Sequence, residues 1–121
     1  MIYDHENIFA KILRGETPCT KVFESQHALA FEDVNPVAPV HVLIIPKLAY
    51  ISMADFSATA ADVEIVDFIR TVGEVGKLKG LIETGYRILA NHGINGHQEV
   101  FHYHVHLLGG RDLGGMIKSE E

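Results

Sequence analysis

Residues 101–108 read Phe-His-Tyr-His-Val-His-Leu-Leu, an alternation of apolar residues and histidines that predicts a β-strand with two unlike faces. On a strand the odd-numbered apolar side chains, from position 101 onward, would point into the core. The imidazoles of His102, His104 and His106 would project together from the opposite face. On a helix, positions two apart diverge by about 200°, so the three histidines could not share a face. We therefore predict a strand over Val100–Leu108.

The elements upstream of this strand predict an α+β fold. Three short apolar runs separated by turn residues favour antiparallel neighbours, and a longer amphipathic stretch favours a helix across one sheet face. The predicted elements are a short N-terminal helix over Ile8–Arg14 capped by Asn7, strands over Lys21–Glu24, Ala28–Glu32 and Val40–Ile45, a long helix capped by Thr59 or Ser57 and stopped at Gly80, and a strand over Gly85–Ala90. The continuous apolar run before Pro46 should be buried on both faces.

The long helix should bury one stripe of its surface against the sheet. Residues at helical spacing define this predicted stripe: Ile65, Ile69, Val72 and Gly76, widened by Val66 and Val75. Such a stripe is typical of core packing rather than of a ligand-binding surface.

Length and composition narrow the class of protein. A chain of 121 residues with 47% hydrophobic residues suits one globular domain, so we expect residues 1–121 to form a single domain. The net charge of 10 − 16 = −6 argues against a nucleic-acid partner. No signal peptide and no apolar run of about 20 residues is visible, so we expect no membrane partner. A single cysteine, Cys19, fits a reducing compartment, and we expect a cytoplasmic protein.

Three histidines on one strand face indicate a chemical site, because a solvated face usually mixes Lys, Glu, Thr and Ser. One interpretation is a metal centre that takes a further ligand from His41 or His97. The other is nucleophilic attack at phosphorus by the neutral imidazole of His104. The flanking imidazoles could then donate to phosphate oxygens or protonate a leaving group.

An anion-binding site in an acidic protein needs local hydrogen-bond donors. Just upstream of the histidines, Asn91, the loop Gly93–Gly96 and Gln98 offer amide side chains and backbone N–H groups. A glycine-containing loop that leads into alternating histidines favours the phosphorus chemistry over a purely structural role.

These residues resemble the histidine triad (HIT) superfamily, whose signature is matched by His102–Leu108. Gln98–Phe101 before the signature and Gly109–Arg111 after it resemble the Hint branch, the histidine triad nucleotide-binding proteins. Ile8–Ile12 is similar to the opening helix of the family, and Phe31–Pro46 to its Asp-x-x-Pro, His and Ile-Pro segment. The resemblance therefore covers nearly the whole chain and implies the HIT-like α+β fold.

The resemblance implies a nucleoside phosphoramidase that cleaves the P–N bond of purine nucleoside 5′-phosphoramidates through a covalent nucleotidyl-histidine. It assigns the nucleophile to His104, contact with the phosphate and leaving group to His106, and support of the site to His102 through its backbone carbonyl. It makes His41 the partner of the supporting imidazole and Asp33 the carboxylate that binds both ribose hydroxyls.

The remaining implied contacts are with the phosphate, the leaving group and the base. The phosphate and leaving-group loop matches Asn91, Gln98, Glu99 and Val100, and the base-binding wall matches Phe9, Ile12, Phe31 and Val34. The family needs no metal and no cofactor for this reaction. It forms two-fold homodimers whose sheets join across the interface with the long helix taking part, and its ligands are AMP, GMP or the corresponding phosphoramidates.

Two departures from the family pattern concern the leaving-group side of the site. His97 stands where the family usually has the second glycine of Gly-Gly-Gln, and Glu99 stands where many eukaryotic members have a hydroxyl residue. Three other functions stay open from the sequence: a nucleotide-binding regulatory or scaffold protein, a metal-binding protein, and a Fhit-like dinucleoside polyphosphate hydrolase.

Overall fold

One antiparallel sheet organises the fold in a computed structural model that describes residues 1–117. Over this range three helices and five strands follow one another in the order α-β-β-β-α-α-β-β. The elements are α1 Ile8–Leu13, β1 Lys21–Glu24, β2 Ala28–Glu32, β3 Val40–Pro46, α2 Met53–Thr59, α3 Asp62–Leu78, β4 Tyr86–Leu89 and β5 Val105–Gly109. The α+β class and the antiparallel sheet are confirmed, and the last four residues of the predicted domain lie outside the described range.

The strand order is β1-β2-β3-β5-β4, with every neighbouring pair antiparallel. The central strand β3 is buried on both faces from His41 to Pro46, as its continuous apolar sequence predicts. Helix α1 begins where Asn7 accepts a hydrogen bond from the Ala10 backbone N–H, so the predicted cap is also confirmed.

The two faces of the sheet are covered by different helices. On one face α3 packs across β1, β2 and β3 over a core that includes Phe68, Val75 and Leu107. On the other face α1 contributes Phe9 to a smaller apolar cluster with Phe31. Because side chains alternate along a strand, every second residue of β3 and β5 points to the α1 face, and the histidines lie there.

The sequence prediction of the long helix was wrong at its start. Neither predicted cap is correct: Ser57 lies within, and Thr59 ends, a separate helix, α2, that the sequence pattern did not predict. The long helix begins after Ala61, whose backbone N–H donates to the Glu64 carboxylate at 3.0 Å. This arrangement supplies the capping interaction from inside the helix, so no hydroxyl residue is needed at the cap position. Gly80, at φ +71°, follows the helix end as predicted.

The predicted stripe of α3 is confirmed at Val72, Val75 and Gly76, which are buried, and Ile65 packs against the core. The prediction was wrong at Ile69, which is 64% exposed, and at Val66, which is 51% exposed. Phe68, which was not in the predicted stripe, is buried in the core against Tyr103. None of the helices in residues 1–117 combines the length and apolarity that crossing a bilayer requires.

Strand β5 is shorter than predicted, starting at Val105 rather than Val100. Its last pair with β3 joins Val105 to Ile44, and Pro46, two residues further along β3, has no N–H to donate. The backbone of Tyr103 instead donates to the Tyr50 carbonyl at 2.7 Å. Residues 100–104 therefore leave the sheet, and Phe101, predicted in the core, is 37% exposed.

Candidate active site

The three histidines lie on the α1 face of the sheet although only His106 belongs to a strand. His102 is fully buried, His104 is 7% exposed, and His106 is partly buried. The intervening Tyr103 and Val105 point into the core under α3, so the predicted alternation of faces holds beyond the end of the strand. Burial excludes a solvated row of imidazoles.

His104 has a fixed tautomer. Its Nδ1 lies 2.7 Å from the backbone carbonyl of His102, and a carbonyl only accepts, so Nδ1–H is the donor. A neutral ring then carries an unprotonated Nε2. Burial lowers the pKa of His104, since the Phe9 ring packs edge-on against it and water is displaced. His104 is therefore a neutral imidazole at pH 7 with a free Nε2 lone pair.

His102 supports this arrangement from below. Its Nε2 donates to the Pro46 carbonyl at 2.8 Å, and its Nδ1 accepts a hydrogen bond from the Tyr3 hydroxyl. Burial lowers the pKa of His102 to about 4. The ring is therefore neutral, with both nitrogens satisfied, and it anchors the peptide whose carbonyl orients His104.

His106 pairs with His41, and the implied pairing of His41 with the supporting His102 was wrong. His41 Nε2 lies 2.9 Å from His106 Nδ1, because Leu43 is directly opposite His106 in the sheet and His41 is its diagonal neighbour. His41 Nδ1 accepts from the Val37 backbone N–H at 3.1 Å, so the proton of a neutral His41 is on Nε2 and is donated to His106.

The same reasoning gives His106 a proton on Nε2. Its Nδ1 is the acceptor of the His41 bond, so a neutral His106 has Nε2–H as its remaining donor. Burial, followed by the neighbouring imidazoles of His104 and His41, lowers the pKa of His106 to about 4. The two adjacent rings thus play opposite parts: His104 carries a lone pair and His106 a donor.

Asp33 follows β2 on the same face as Phe31. Its Oδ1 accepts from the Asn35 backbone N–H at 2.8 Å, which makes it a turn residue, and its Oδ2 lies 3.3 Å from His41 Nε2. Asp33 therefore stabilises the turn with one carboxylate oxygen and places the other beside the histidines, so the two roles do not exclude each other.

A cleft of about 290 Å³ opens in front of these groups. Its lining residues are Phe9, Asp33, Leu43, Asn91, His97, Glu99, Val100, His104 and His106. Seven of these nine residues were predicted from the sequence as site residues. Leu43 was not predicted. His97 was named only as a possible metal ligand and as a difference from the family pattern. The period of two along β3 could have found Leu43, because it follows His41 on the same face.

Several predicted contact residues lie elsewhere. Val34 is 86% exposed, and Ile12 lines a separate groove near Cys19. Phe31 is buried behind Phe9, whose ring it meets edge-on, so it supports the wall without lining the cleft. The alternation of residues beyond β2 turns Val34 away from the face that Asp33 occupies.

Gln98 has a structural position in the loop. Its Nε2 donates to the carbonyls of Ile51 and Val100, and its Oε1 accepts from the Gly93 N–H. The amide predicted to contact the phosphate is therefore committed to holding residues 91–100 in shape. His97, beside it, has a positive φ of 57°, a conformation that suits glycine better than histidine.

One group of side chains in the described range could hold a metal ion. Ligand atoms of Asp33, His41 and His106 all lie within 4.8 Å of one another. One carboxylate and two imidazoles form a donor set that zinc accepts. The His41–His106 hydrogen bond and the 3.3 Å approach of the Asp33 carboxylate to His41 Nε2 account for this proximity without an ion.

Comparison with known proteins places this site in a family. The HIT domain family matches residues 14–113. A protein of Azospirillum brasilense described as an uncharacterized 13.2 kDa HIT-like protein is 57% identical over 115 residues, which cover 95% of this chain and 94% of that protein. The purine nucleoside phosphoramidase of Escherichia coli K12 is 40% identical over 112 residues, or 93% of each chain.

Solved structures agree with the sequence comparison. A histidine triad protein from Clostridium difficile is 40% identical, with a TM-score of 0.82 over 94% of this chain and 98% of its own. The chain belongs to the HIT family, and the resemblance found in the sequence is confirmed.

Proposed function

We propose that this protein is a nucleotide hydrolase that cleaves the P–N bond of purine nucleoside 5′-phosphoramidates through a nucleotidyl-His104 intermediate. The observation that carries the proposal is the hydrogen bond from His104 Nδ1 to the His102 carbonyl, which leaves the Nε2 lone pair at the cleft. The 40% identity to the Escherichia coli phosphoramidase supports the same reaction class.

In the first step His104 Nε2 bonds to phosphorus and the P–N bond breaks. The leaving nitrogen takes the electron pair and one proton, and it departs as an amine. Water then attacks phosphorus and the bond to His104 breaks; one proton of the water stays with the phosphate, and the other replaces the proton that the site gave to the leaving nitrogen. The products are a nucleoside monophosphate and an amine, and the protein returns to its starting protonation state.

His106 is the proposed carrier of the transferred proton. An anionic phosphate beside its Nε2–H favours the protonated imidazole, so the His41–His106 pair takes up a proton when substrate binds. The protonated ring also stabilises the negative charge that develops on the phosphate oxygens. Proton donation to the leaving nitrogen then follows from the same position.

The rest of the cleft supports recognition of a nucleotide. Asp33 can accept hydrogen bonds from ribose hydroxyls with the carboxylate oxygen that its turn leaves free. Phe9, Leu43 and Val100 form an apolar wall suited to a purine. Asn91 is placed to contact the phosphate or the leaving group.

We also propose that no metal ion takes part and that the protein acts as a cytoplasmic homodimer of one domain per chain. The His41–His106 hydrogen bond already engages one nitrogen of each ring. Cys19, a free cysteine, suits a reducing compartment. Exposed apolar residues on α3 and the edge strand β4, including Ile69 and Ile88, support association of two copies.

The proposal is tested by mixing wild-type protein and His104→Ala with adenosine 5′-phosphoramidate. We expect turnover by the wild type, loss of at least a thousandfold in kcat for the variant, and AMP binding by both. Intact-protein mass spectrometry of samples quenched without acid should show a nucleotidyl adduct on the wild type and none on the variant. Undiminished activity in the variant would remove His104 from its proposed role.

Two controls separate the other functions. A chelator should leave the rate unchanged, and a rate restored only by added zinc would favour the metal interpretation. A diadenosine polyphosphate should be a poorer substrate than the phosphoramidate, as judged by kcat/KM. Binding of AMP without turnover of either compound would instead indicate a regulatory or scaffold protein.

A further inference from the structure

Tyr3 lies outside the residues so far given a role, yet it touches the histidine cluster. It precedes α1 in sequence and is partly buried. Its hydroxyl donates to His102 Nδ1, and its ring meets the His102 ring edge-on, with centroids 5.6 Å apart. The contact joins residues 99 positions apart, so it fixes the N-terminal segment to the site.

We infer that Tyr3 is a positioning residue that, together with the Pro46 carbonyl, holds the supporting imidazole in one neutral tautomer and thereby orients the nucleophile. The inference rests on the proposed role of His104. A chain of three hydrogen bonds leads from Tyr3 to His102, from His102 to the Pro46 carbonyl, and from His104 to the His102 carbonyl.

The direction of each bond makes the chain specific. The Pro46 carbonyl can only accept, so His102 must keep its proton on Nε2. Nδ1 of a neutral ring then needs a donor, and within residues 1–117 the Tyr3 hydroxyl is the one the structure supplies. Without that donor, a fully buried ring would keep one unsatisfied nitrogen or take up a proton there.

The charged and titratable surroundings of His102 bear on that outcome. The charge of His104 lowers the pKa of His102, and that of Asp55 raises it. Tyr3 faces the ring directly. Apolar contact comes from Phe9 at 6.3 Å between ring centroids. Loss of the Tyr3 hydroxyl destabilises the neutral ring relative to the cation, so protonation of His102 should occur at higher pH in its absence.

Tyr3→Phe is the direct test, because it keeps the ring packing and removes only the hydroxyl. We expect kcat with adenosine 5′-phosphoramidate to fall about tenfold while KM changes less than twofold. Nitrogen-15 NMR should show pure Nε2–H tautomer for His102 in the wild type, and a mixed or protonated ring at pH 6 in the variant. In the pH profile of kcat, the loss of activity on the acid side should occur at higher pH in Tyr3→Phe than in the wild type.

Tyr50→Phe is the matched control, since it also removes a tyrosine hydrogen bond, the one to Glu64 at 2.7 Å, in the core under α3. It should keep the wild-type kcat and His102 spectrum. A Tyr3→Phe protein with unchanged kcat and unchanged His102 tautomer would overturn the inference. The NMR result is independent of turnover, so a wild type without phosphoramidase activity would reject the proposed function and leave the tautomer test intact.

Discussion

At the scale of single residues, the site works by giving each imidazole one hydrogen-bonding role. Backbone carbonyls of His102 and Pro46 fix protons on two rings, and the Val37 N–H fixes a third. Backbone groups cannot change tautomer, so the pattern is set before substrate arrives. The sequence could show which residues share a face, but not these hydrogen-bond partners, because they depend on which segments the fold brings together.

The buried ring of His102 should also make stability depend on pH. Its pKa is about 4 in the folded protein and near 6.5 in an unfolded chain, so the unfolded state binds more protons between these values. Stability is therefore complete above pH 6.5 and falls as the pH drops toward 4, by about 3 kcal/mol from this group.

Urea denaturation of the wild type and of His102→Asn at pH 7 and pH 4 isolates that contribution. The variant should be less stable at pH 7 but lose about 3 kcal/mol less on acidification. His92→Asn, at an exposed imidazole, is the control and should follow the wild type. Equal pH dependence in wild type and His102→Asn would show that His102 is not buried as a neutral ring.

At the scale of elements, strands were easier to predict than the loop before the histidines. β1 and β2 match their predicted bounds because each is short, apolar on the buried side and closed by turn residues. The start of β5 could not be predicted, since the alternation from Phe101 onward continues where pairing has already ended. Where this pairing ends depends on Pro46 in β3, which is far from β5 in sequence, so no local sequence pattern near residue 101 could reveal it.

The loop over residues 91–100 should depend on Gln98 for its shape. Gln98→Met keeps the volume of the side chain and removes its bonds to Gly93, Ile51 and Val100. We expect kcat/KM to fall about tenfold, because Asn91 and Glu99 would lose their fixed places in the cleft.

Hydrogen exchange at the Gly93 amide measures the loop directly, and it should become faster in Gln98→Met. Gln26→Met, at an exposed position near the β1–β2 turn, should change neither exchange at Gly93 nor kcat/KM. Faster exchange with full activity would mean that the loop supplies less to catalysis than the cleft geometry implies.

At the scale of the whole molecule, one face of the sheet carries most of the apolar core and the other face carries the candidate site. The α3 face holds the larger apolar core, and the α1 face holds a smaller cluster beside the histidines and the cleft. Stability is thus concentrated away from the polar network. Composition and periodicity were enough to predict this α+β division, whereas the extra helix α2 was missed because its seven residues carry too short a pattern.

Apolar side chains are exposed along one edge of the described residues, and we expect this edge to be the dimer interface. α3 packs mainly over β1, β2 and β3, and the Tyr86 ring of β4 lies against Gly76 of α3, whereas Ile88, further along β4, is 52% exposed. Next to it on α3 lie Ile69, 64% exposed, and Gly73, with open space around its Cα. β4 is also an edge strand, whose free backbone groups can pair with a second copy.

We expect light scattering after size exclusion to give twice the monomer mass for the wild type, and Ile69→Glu to shift the protein toward monomer by placing a charge in the interface. Val63→Glu is the matched control: Val63 is 63% exposed on the same helix but borders the groove near His27, on the opposite flank. A dimer disrupted by Val63→Glu and not by Ile69→Glu would place the interface on that flank instead, and a monomeric wild type at high concentration would reject the dimer altogether.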